Sequence, residues 1–261
     1  MRSPAGPLSL TGRRLDHVRR GYRVAVSAPR SRELPPALPP AARPVGQVVA
    51  EAIKLYQGSF WRALVLGIPV AVADQLIADR PLGERIVLLV AASPAFSLAY
   101  AAACVIRQDE HPPWRVWAIA VLVGVVTFLP AAAFFSWFAI AAVLWLGIAG
   151  HAVPAVMAER LGVIAALRRT VQLGRADYVH AAGSFATLAI LFGLTRLALG
   201  LLLSSQADAT VRISIFLADL VVSPLLYLGA TIVYVDLSAR VGLTREERRQ
   251  VRRAALERMA K

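Results

Sequence analysis

The stretch from Trp117 to Met157 constrains this chain most, because its 41 residues contain no Asp, Glu, Lys or Arg. One helix of that length would measure roughly 60 Å, about twice the hydrocarbon core of a bilayer, so the stretch predicts two spans joined by a tight turn. Pro130 and Ser136 bracket the predicted reversal. The whole chain is 57% hydrophobic and only 17% charged, which excludes a water-soluble enzyme of 261 residues.

Four further apolar blocks are long enough to cross the hydrocarbon core, which takes roughly 20 helical residues. With the uncharged stretch they predict six spans, at about residues 61–78, 86–106, 114–132, 136–157, 181–204 and 213–235. We therefore predict an all-α, polytopic integral membrane protein whose membrane domain covers residues 45–240.

Two amphipathic segments precede the first and fifth spans, at residues 47–59 and 160–176. Each has an apolar face beside Gln, Glu, Lys or Arg side chains, the pattern of a helix that lies in the membrane interface. We predict two interfacial elbow helices, each leading into an outward-going span.

Nearly all of the formal charge of +13 lies near the two termini. Residues 1–44 contain nine Arg and half of the sixteen Pro, without a periodic apolar face, so they are predicted to be a disordered tail. Residues 241–261 are predicted to be a basic helix, since Thr244 and Glu247 have capping-box spacing. Charge confined to the tails does not indicate nucleic-acid binding.

The short loops divide the basic residues unevenly. If both termini are cytoplasmic, the outside loops carry only Arg80, Arg85 and Arg212. The inside segments then carry both tails together with Lys54, Arg62, Arg107, Arg115, Arg160, Arg168, Arg169 and Arg175. The positive-inside rule thus predicts an N-in, C-in topology.

Three ionisable residues fall within predicted spans: Asp74, Arg196 and Asp219. Each costs roughly 2.5–3.5 kcal/mol at the bilayer centre, so such residues are candidates for function. Their predicted depths agree within about one helical turn, which permits a shared intramembrane charge cluster. The cluster would be either a cation or proton site, or a structural ion pair, for which Arg196 and Asp219 are the predicted partners.

Five predicted spans contain proline, at Pro69, Pro94, Pro130, Pro154 and Pro224. They are candidate kinks, and broken helices also line the substrate paths of many transporters. His151, three residues before the fourth of these prolines, is predicted to bond a backbone carbonyl that the proline frees, with a proton pathway as the alternative.

No catalytic signature is present, because the sequence lacks HExxH, GxSxG, a P-loop and CxxC. Its one cysteine, Cys104, lies in an apolar run. We therefore expect a protein that is not an enzyme and that has no cofactor and no metal site.

Three patches, within residues 51–60, 154–175 and 224–240, resemble the membrane domain attached to some glycerophosphoryl diester phosphodiesterases and its stand-alone bacterial relatives of unknown function. The second contains Pro154 and Ala-Leu-Arg-Arg-Thr at 166–170, where Thr170 replaces the usual serine, and the third contains Tyr-Val-Asp-Leu at 234–237. Ser238 stands where arginine is common. The resemblance implies a six-helix membrane domain. It does not imply phosphodiesterase chemistry, which resides in a separate soluble barrel.

The same patches supply candidate structural residues for the cytoplasmic interface: Glu159, Arg168, Arg169, Asp236 and Arg240. Asp236 is predicted to pair with Arg168 or Arg169 and so to fasten the second elbow helix to the sixth span.

The sequence therefore predicts a non-catalytic, multi-pass protein of the bacterial plasma membrane. Its basic cytoplasmic face would contact anionic lipid, and a protein partner or a second copy of the chain is possible. One alternative is a transporter or permease component that uses the charged residues within the spans. A third is a membrane-embedded lipid-processing enzyme built on Glu159, His151 and Asp236.

Overall fold

The computed structural model describes residues 38–260, and the regular structure of these residues is entirely helical. The helices are α1 (Val45–Gly58), α2 (Phe60–Leu64), α3 (Ile68–Ile77), α4 (Leu82–Gln108), α5 (Trp114–Trp137), α6 (Ala139–Ala149), α7 (Ala152–Glu159), α8 (Val163–Ala176), α9 (Tyr178–Leu202), α10 (Asp208–Val222), α11 (Pro224–Arg240) and α12 (Arg245–Ala260). Single 3-10 turns lie at Pro40–Ala42 and Val65–Gly67.

Six helical stretches are long and apolar enough to cross a membrane, which confirms the predicted six-helix, all-α class. They are Phe60–Ile77, Leu82–Gln108, Trp114–Trp137, Ala139–Glu159, Tyr178–Leu202 and Asp208–Arg240. These are the length and composition of a multi-pass membrane protein. The sixth stretch has 33 residues, about 50 Å of helix, and is longer than its apolar block because helical hydrogen bonding continues into the polar flanks.

The predicted reversal between the third and fourth spans is misplaced. Pro130 lies inside α5, and the chain turns at Phe138, whose extended backbone (φ −156°, ψ 94°) separates α5 from α6. A proline within a membrane helix is tolerated where neighbouring groups supply the missing bonds, so a proline alone does not locate a turn.

Ion pairs that involve the loops and the helix ends define two ends of the bundle. At one end, Arg160 pairs with Glu110 at 3.3 Å and Arg62 with Asp109 at 3.6 Å. At the other end, Arg212 pairs with Asp79. We call the first the basic end and the second the far end. The described chain starts and finishes at the basic end, since both Pro40–Ala42 and α12 lie there.

Large apolar side chains point away from the bundle along its length, among them Val87, Leu197 and Leu202, which are 66%, 58% and 75% exposed. Between the helices, small residues dominate the buried surface, for example Ala99 and Ala103 of α4. Close approach at small residues, with large apolar side chains facing outwards, is the usual packing of membrane helices.

The five prolines occupy two kinds of position. Pro69, Pro154 and Pro224 each stand within the first three residues of a helix, at a break in a span, where a missing N–H costs least. Pro94 and Pro130 lie inside α4 and α5. The first, fourth and sixth spans are therefore broken, while the second and third are continuous helices.

The carbonyl that Pro154 frees is satisfied by Tyr100, not by the predicted His151. Proline removes the donor for the carbonyl four residues earlier, which here is that of Gly150. The Tyr100 hydroxyl donates to this carbonyl at 2.7 Å. Both ring nitrogens of His151 are buried without a hydrogen-bond partner, so the predicted role of this histidine is wrong.

The prolines inside α4 and α5 have comparable partners. The Ser93 hydroxyl donates at 2.7 Å to the carbonyl of Val90, four residues before the proline of α4. In α5, the indole N–H of Trp145 donates at 2.9 Å to the carbonyl of Thr127, in the turn before the proline. These contacts support a structural role for the two prolines.

Pro224 frees the carbonyl of Leu220, and the first span packs directly against it. A Cβ added at Gly67 would lie 2.1 Å from the Leu220 oxygen and 2.8 Å from its carbonyl carbon. Only glycine permits this approach of backbone to backbone, so Gly67 sets the distance between the first span and α10.

Candidate functional site

The three charged residues predicted within spans come together in the far half of the bundle. Arg196 of α9 donates through Nη2 to Asp74 Oδ2 of α3 at 2.8 Å. Its Nε lies 3.5 Å from Oδ1 of Asp219 on α10. The Asp219 side chain is fully buried, whereas 19% of Asp74 and 30% of Arg196 is exposed. We call these three residues the far-end triad.

Helix packing places the triad. The contact at Gly67 holds the first span against α10, and Asp74 follows seven residues later, two turns along the same span. Arg196 lies one turn after Phe192, whose ring centroid is 5.7 Å from the guanidinium carbon. The triad therefore depends on contacts among three separate helices.

The triad contains two carboxylates and one guanidinium. The structure brings Arg196 close to both acids, but its hydrogen bond goes to Asp74 and not to the predicted partner. Neither carboxylate oxygen of Asp219 has a hydrogen-bond partner. One guanidinium can neutralise one carboxylate, so a second negative charge would remain within the spans if both acids were ionised.

A second polar cluster lies at the basic end. Asp236 of α11 is fully buried and accepts from Arg43 Nη1 at 3.1 Å. Arg240, one turn later, donates to Asp177 at 2.7 Å and to the backbone carbonyl of Arg43 at 2.7 Å. His180 Nε2 stands 3.7 Å from the second oxygen of Asp236. The cluster ties the start of the described chain to α9 and α11.

Asp177 connects three parts of this cluster. Its Oδ1 accepts from the backbone N–H of His180 at 3.2 Å, which caps α9, and its Oδ2 accepts from Arg240 and Arg248, each at 2.7 Å. Partial burial alone would raise the pKa of the Asp177 carboxyl, but these hydrogen bonds and the two guanidinium charges outweigh it and lower the pKa. Arg248 belongs to α12, so Asp177 also anchors that helix.

The predicted pairing of Asp236 with Arg168 or Arg169 is wrong. Arg169 donates instead to Glu159 at 2.9 Å, and the same Glu159 oxygen accepts from the hydroxyl of Tyr234 at 2.7 Å. Residue 236 is two positions beyond residue 234, about 200° around the helix, so its carboxylate points away from α8. Arg168 is exposed.

The predicted disordered tail extends too far. Leu38, Ala41 and Ala42 are buried, and Arg43 belongs to the buried cluster. The remainder of the predicted tail, residues 1–37, lies outside the described residues.

Sequence reasoning missed Arg43, Asp177, His180 and Arg248. Asp177 had a local signal, because an aspartate directly before a long apolar run is a typical helix N-cap. The other three carry no local signal, since their partners lie far away in the chain.

Charge is distributed unevenly over residues 38–260. The basic end has sixteen basic and nine acidic residues, whereas the far half has four and five, the triad included. At the basic end, Arg249, Arg252 and Arg253 of α12 are exposed. Trp61 and Trp114 are 78% and 74% exposed at the same end.

The described residues contain no group of three or more His, Cys, Asp or Glu side chains that could hold a metal ion. Two surface grooves lie at opposite ends of the bundle. One is lined by Leu76, Arg80 and Glu84 and their neighbours, and the other by Glu51, Lys54 and Ser59 and theirs. The residues that line them do not include the far-end triad or the buried cluster of the basic end. Comparison with protein-family models, with curated proteins and with solved structures finds no match.

Proposed function

We propose that this chain is a non-catalytic, multi-pass protein of the bacterial plasma membrane whose basic end is cytoplasmic and contacts anionic lipid. The excess of sixteen basic over nine acidic residues at one end carries the proposal. Anionic phospholipids attract such a surface, with about 1 kcal/mol for each Lys or Arg near it. The positive-inside rule assigns the same end to the cytoplasm, with N-in, C-in topology.

The two amphipathic helices and the tryptophans support this orientation. In α8, Ile164 is 75% exposed beside the exposed Arg168 and Arg175, as expected of a helix that inserts apolar side chains among lipid headgroups. α1 likewise ends next to the exposed Trp61. Tryptophan prefers the membrane interface, and we propose that α1 and α8 are interfacial elbow helices.

The resemblance to the membrane domain of glycerophosphoryl diester phosphodiesterases belongs to this proposal. The second and third patches contribute Glu159, Arg169 and Tyr234, which contact one another, and Asp236 and Arg240, which bind Arg43. These patch residues hold helices together at the basic end. That role fits a membrane scaffold rather than a catalytic centre.

The test measures lipid selectivity of the full-length protein in bilayers with spin-labelled lipids. We expect labelled phosphatidylglycerol to associate with the protein more than labelled phosphatidylcholine, and salt to reduce the difference. Replacing Arg249, Arg252 and Arg253 by Gln should reduce the preference. The matched control replaces Arg80 and Arg85 of the far end by Gln. Equal association of both lipids, or equal effects of the two sets of variants, would contradict the proposal.

A further inference from the structure

The far-end triad has a use that lipid contact does not explain. Two of its members already form a complete ion pair, because Arg196 donates to Asp74 at 2.8 Å. Asp219 is left with a contact of 3.5 Å to Nε and with both oxygens lacking a hydrogen-bond partner, although its side chain is fully buried. An ionised carboxylate in such a position is costly unless it is hydrogen-bonded or neutralised.

We propose that Asp219 is a proton-binding site, in which one exchangeable proton is held between the carboxyl groups of Asp219 and Asp74. Both carboxyl groups approach the same guanidinium, because Arg196 lies 2.8 Å from an oxygen of Asp74 through Nη2 and 3.5 Å from an oxygen of Asp219 through Nε. With the proton on Asp219, its O–H donates to Asp74, and Asp74 remains the ionised partner of Arg196. The triad is then neutral as a whole, and every charge in it has a partner.

Within the described part of the chain, two of the elements packed against α10 bring a charged residue to the triad. α3 contributes Asp74 and α9 contributes Arg196. Residues 65–67, which also contact α10, are Val, Leu and Gly, and the first residues of α11, 224–226, are Pro, Leu and Leu. Ser223, which follows the last residue of α10, is the nearest further polar side chain in sequence, and Arg212, two turns before Asp219 on α10, is paired with Asp79. A second cation to neutralise Asp219 is therefore not supplied by these elements.

A metal cation fits the site less well than a proton. Mg²⁺ and Ca²⁺ take six or more oxygen ligands, whereas the triad offers four carboxylate oxygens, one of them bonded to Arg196. A cation bound to Asp219 would also stand next to the guanidinium, and the like charges would repel each other. A bound proton creates no separate cationic centre beside the guanidinium, and it needs no ligands other than the two carboxyl groups.

The site has a route for exchange. Asp74 lies three residues before the end of α3, about 5 Å along the helix, and part of its side chain is exposed. A proton released by Asp219 passes to Asp74 and from there to water at the far end. The Asp219 side chain has no exposed surface of its own, so the proton exchanges with water through Asp74.

The experiment follows carboxyl protonation by infrared difference spectroscopy of the purified protein in bilayers during a pH titration. We expect the wild type to show the C=O band of a protonated carboxyl at neutral pH, which disappears at higher pH. Asp219→Asn should remove the band. The control, Asp208→Asn, changes an exposed aspartate of the same helix and should leave it. A wild type without a protonated carboxyl at neutral pH would overturn the proposal, and this measurement needs no variant to fold.

A second readout separates a protonated acid from an ion pair. Asn mimics the neutral carboxyl, so Asp219→Asn should leave the melting temperature in detergent near that of the wild type. Asp74→Asn should lower it clearly, because it leaves Arg196 without its hydrogen-bonded partner. Equal losses in the two variants would show that Asp219 is ionised and would refute the proposal. A band that shifts with Na⁺ at constant pH would refute it as well, in favour of a cation site.

Discussion

Gly67→Ala should loosen the contact between the first span and α10, on which the far-end triad depends. The new methyl carbon would lie 2.1 Å from the Leu220 oxygen, whereas real contacts of this kind stay beyond 3.0 Å, so the two segments must separate by about 0.9 Å. The obstacle is backbone and cannot rotate away. Overpacking of this kind costs about 1–3 kcal/mol.

The matched control is Gly193→Ala, in the middle of α9, where an added Cβ meets nothing within 4 Å. Alanine in place of glycine inside a helix stabilises it by about 1 kcal/mol. The two variants should therefore differ by about 2–4 kcal/mol, or about 30-fold to 1,000-fold in the unfolding equilibrium constant. Both are measured by unfolding of the purified protein with SDS in mixed micelles. Equal stability of the two variants would refute the close approach at Gly67.

Two further predictions concern the basic end. Asp236→Leu should destabilise the protein by about 3–5 kcal/mol because it leaves Arg43 without its partner, and adding Arg43→Met should recover part of the loss, whereas additive losses would exclude a coupled pair. The folded-state pKa of Asp177 lies below the ordinary aspartate value of about 3.9. The ionised Asp177 carboxylate therefore contributes its full stabilisation at pH values above about 3.9, and this stabilisation is lost as the pH falls through the lowered pKa. Asp177→Asn should flatten the acid limb of a stability–pH curve, and an unchanged limb would contradict the assignment.

Local patterns in the sequence were sufficient where the relevant interaction is local. The predicted capping box at Thr244 and Glu247 is an example. The Thr244 N–H donates to Glu247 at 2.6 Å, and the Glu247 N–H donates to the Thr244 hydroxyl at 3.2 Å. The second of the two amphipathic patterns, residues 160–176, likewise corresponds closely to α8, which spans Val163–Ala176. Both features require residues only a few positions apart.

The partners of charged side chains were predicted less well. The predicted depths of Arg196 and Asp219 agree within about one helical turn, which suggested that the two would pair. Arg196 does approach Asp219 at 3.5 Å, yet its hydrogen bond goes to Asp74, 122 residues earlier. Asp236 was predicted to meet α8 and instead binds Arg43, in a segment predicted to be disordered. A charge selects its partner by rotation about a helix axis and by which helices are neighbours, and neither is written in local spacing.

By itself the sequence determined six helical stretches that are long and apolar enough to cross a membrane. A hydrocarbon core about 30 Å thick sets the length of apolar helix that such a stretch needs, and a run of 41 uncharged residues is long enough for two of them. Only the tertiary structure decided which side chains satisfy the prolines, which acid Arg196 binds, and that Gly67 touches the backbone of Leu220. Hydrophobic length is a property of each segment alone, whereas these contacts arise from the relative rotation and spacing of helices that are distant in sequence.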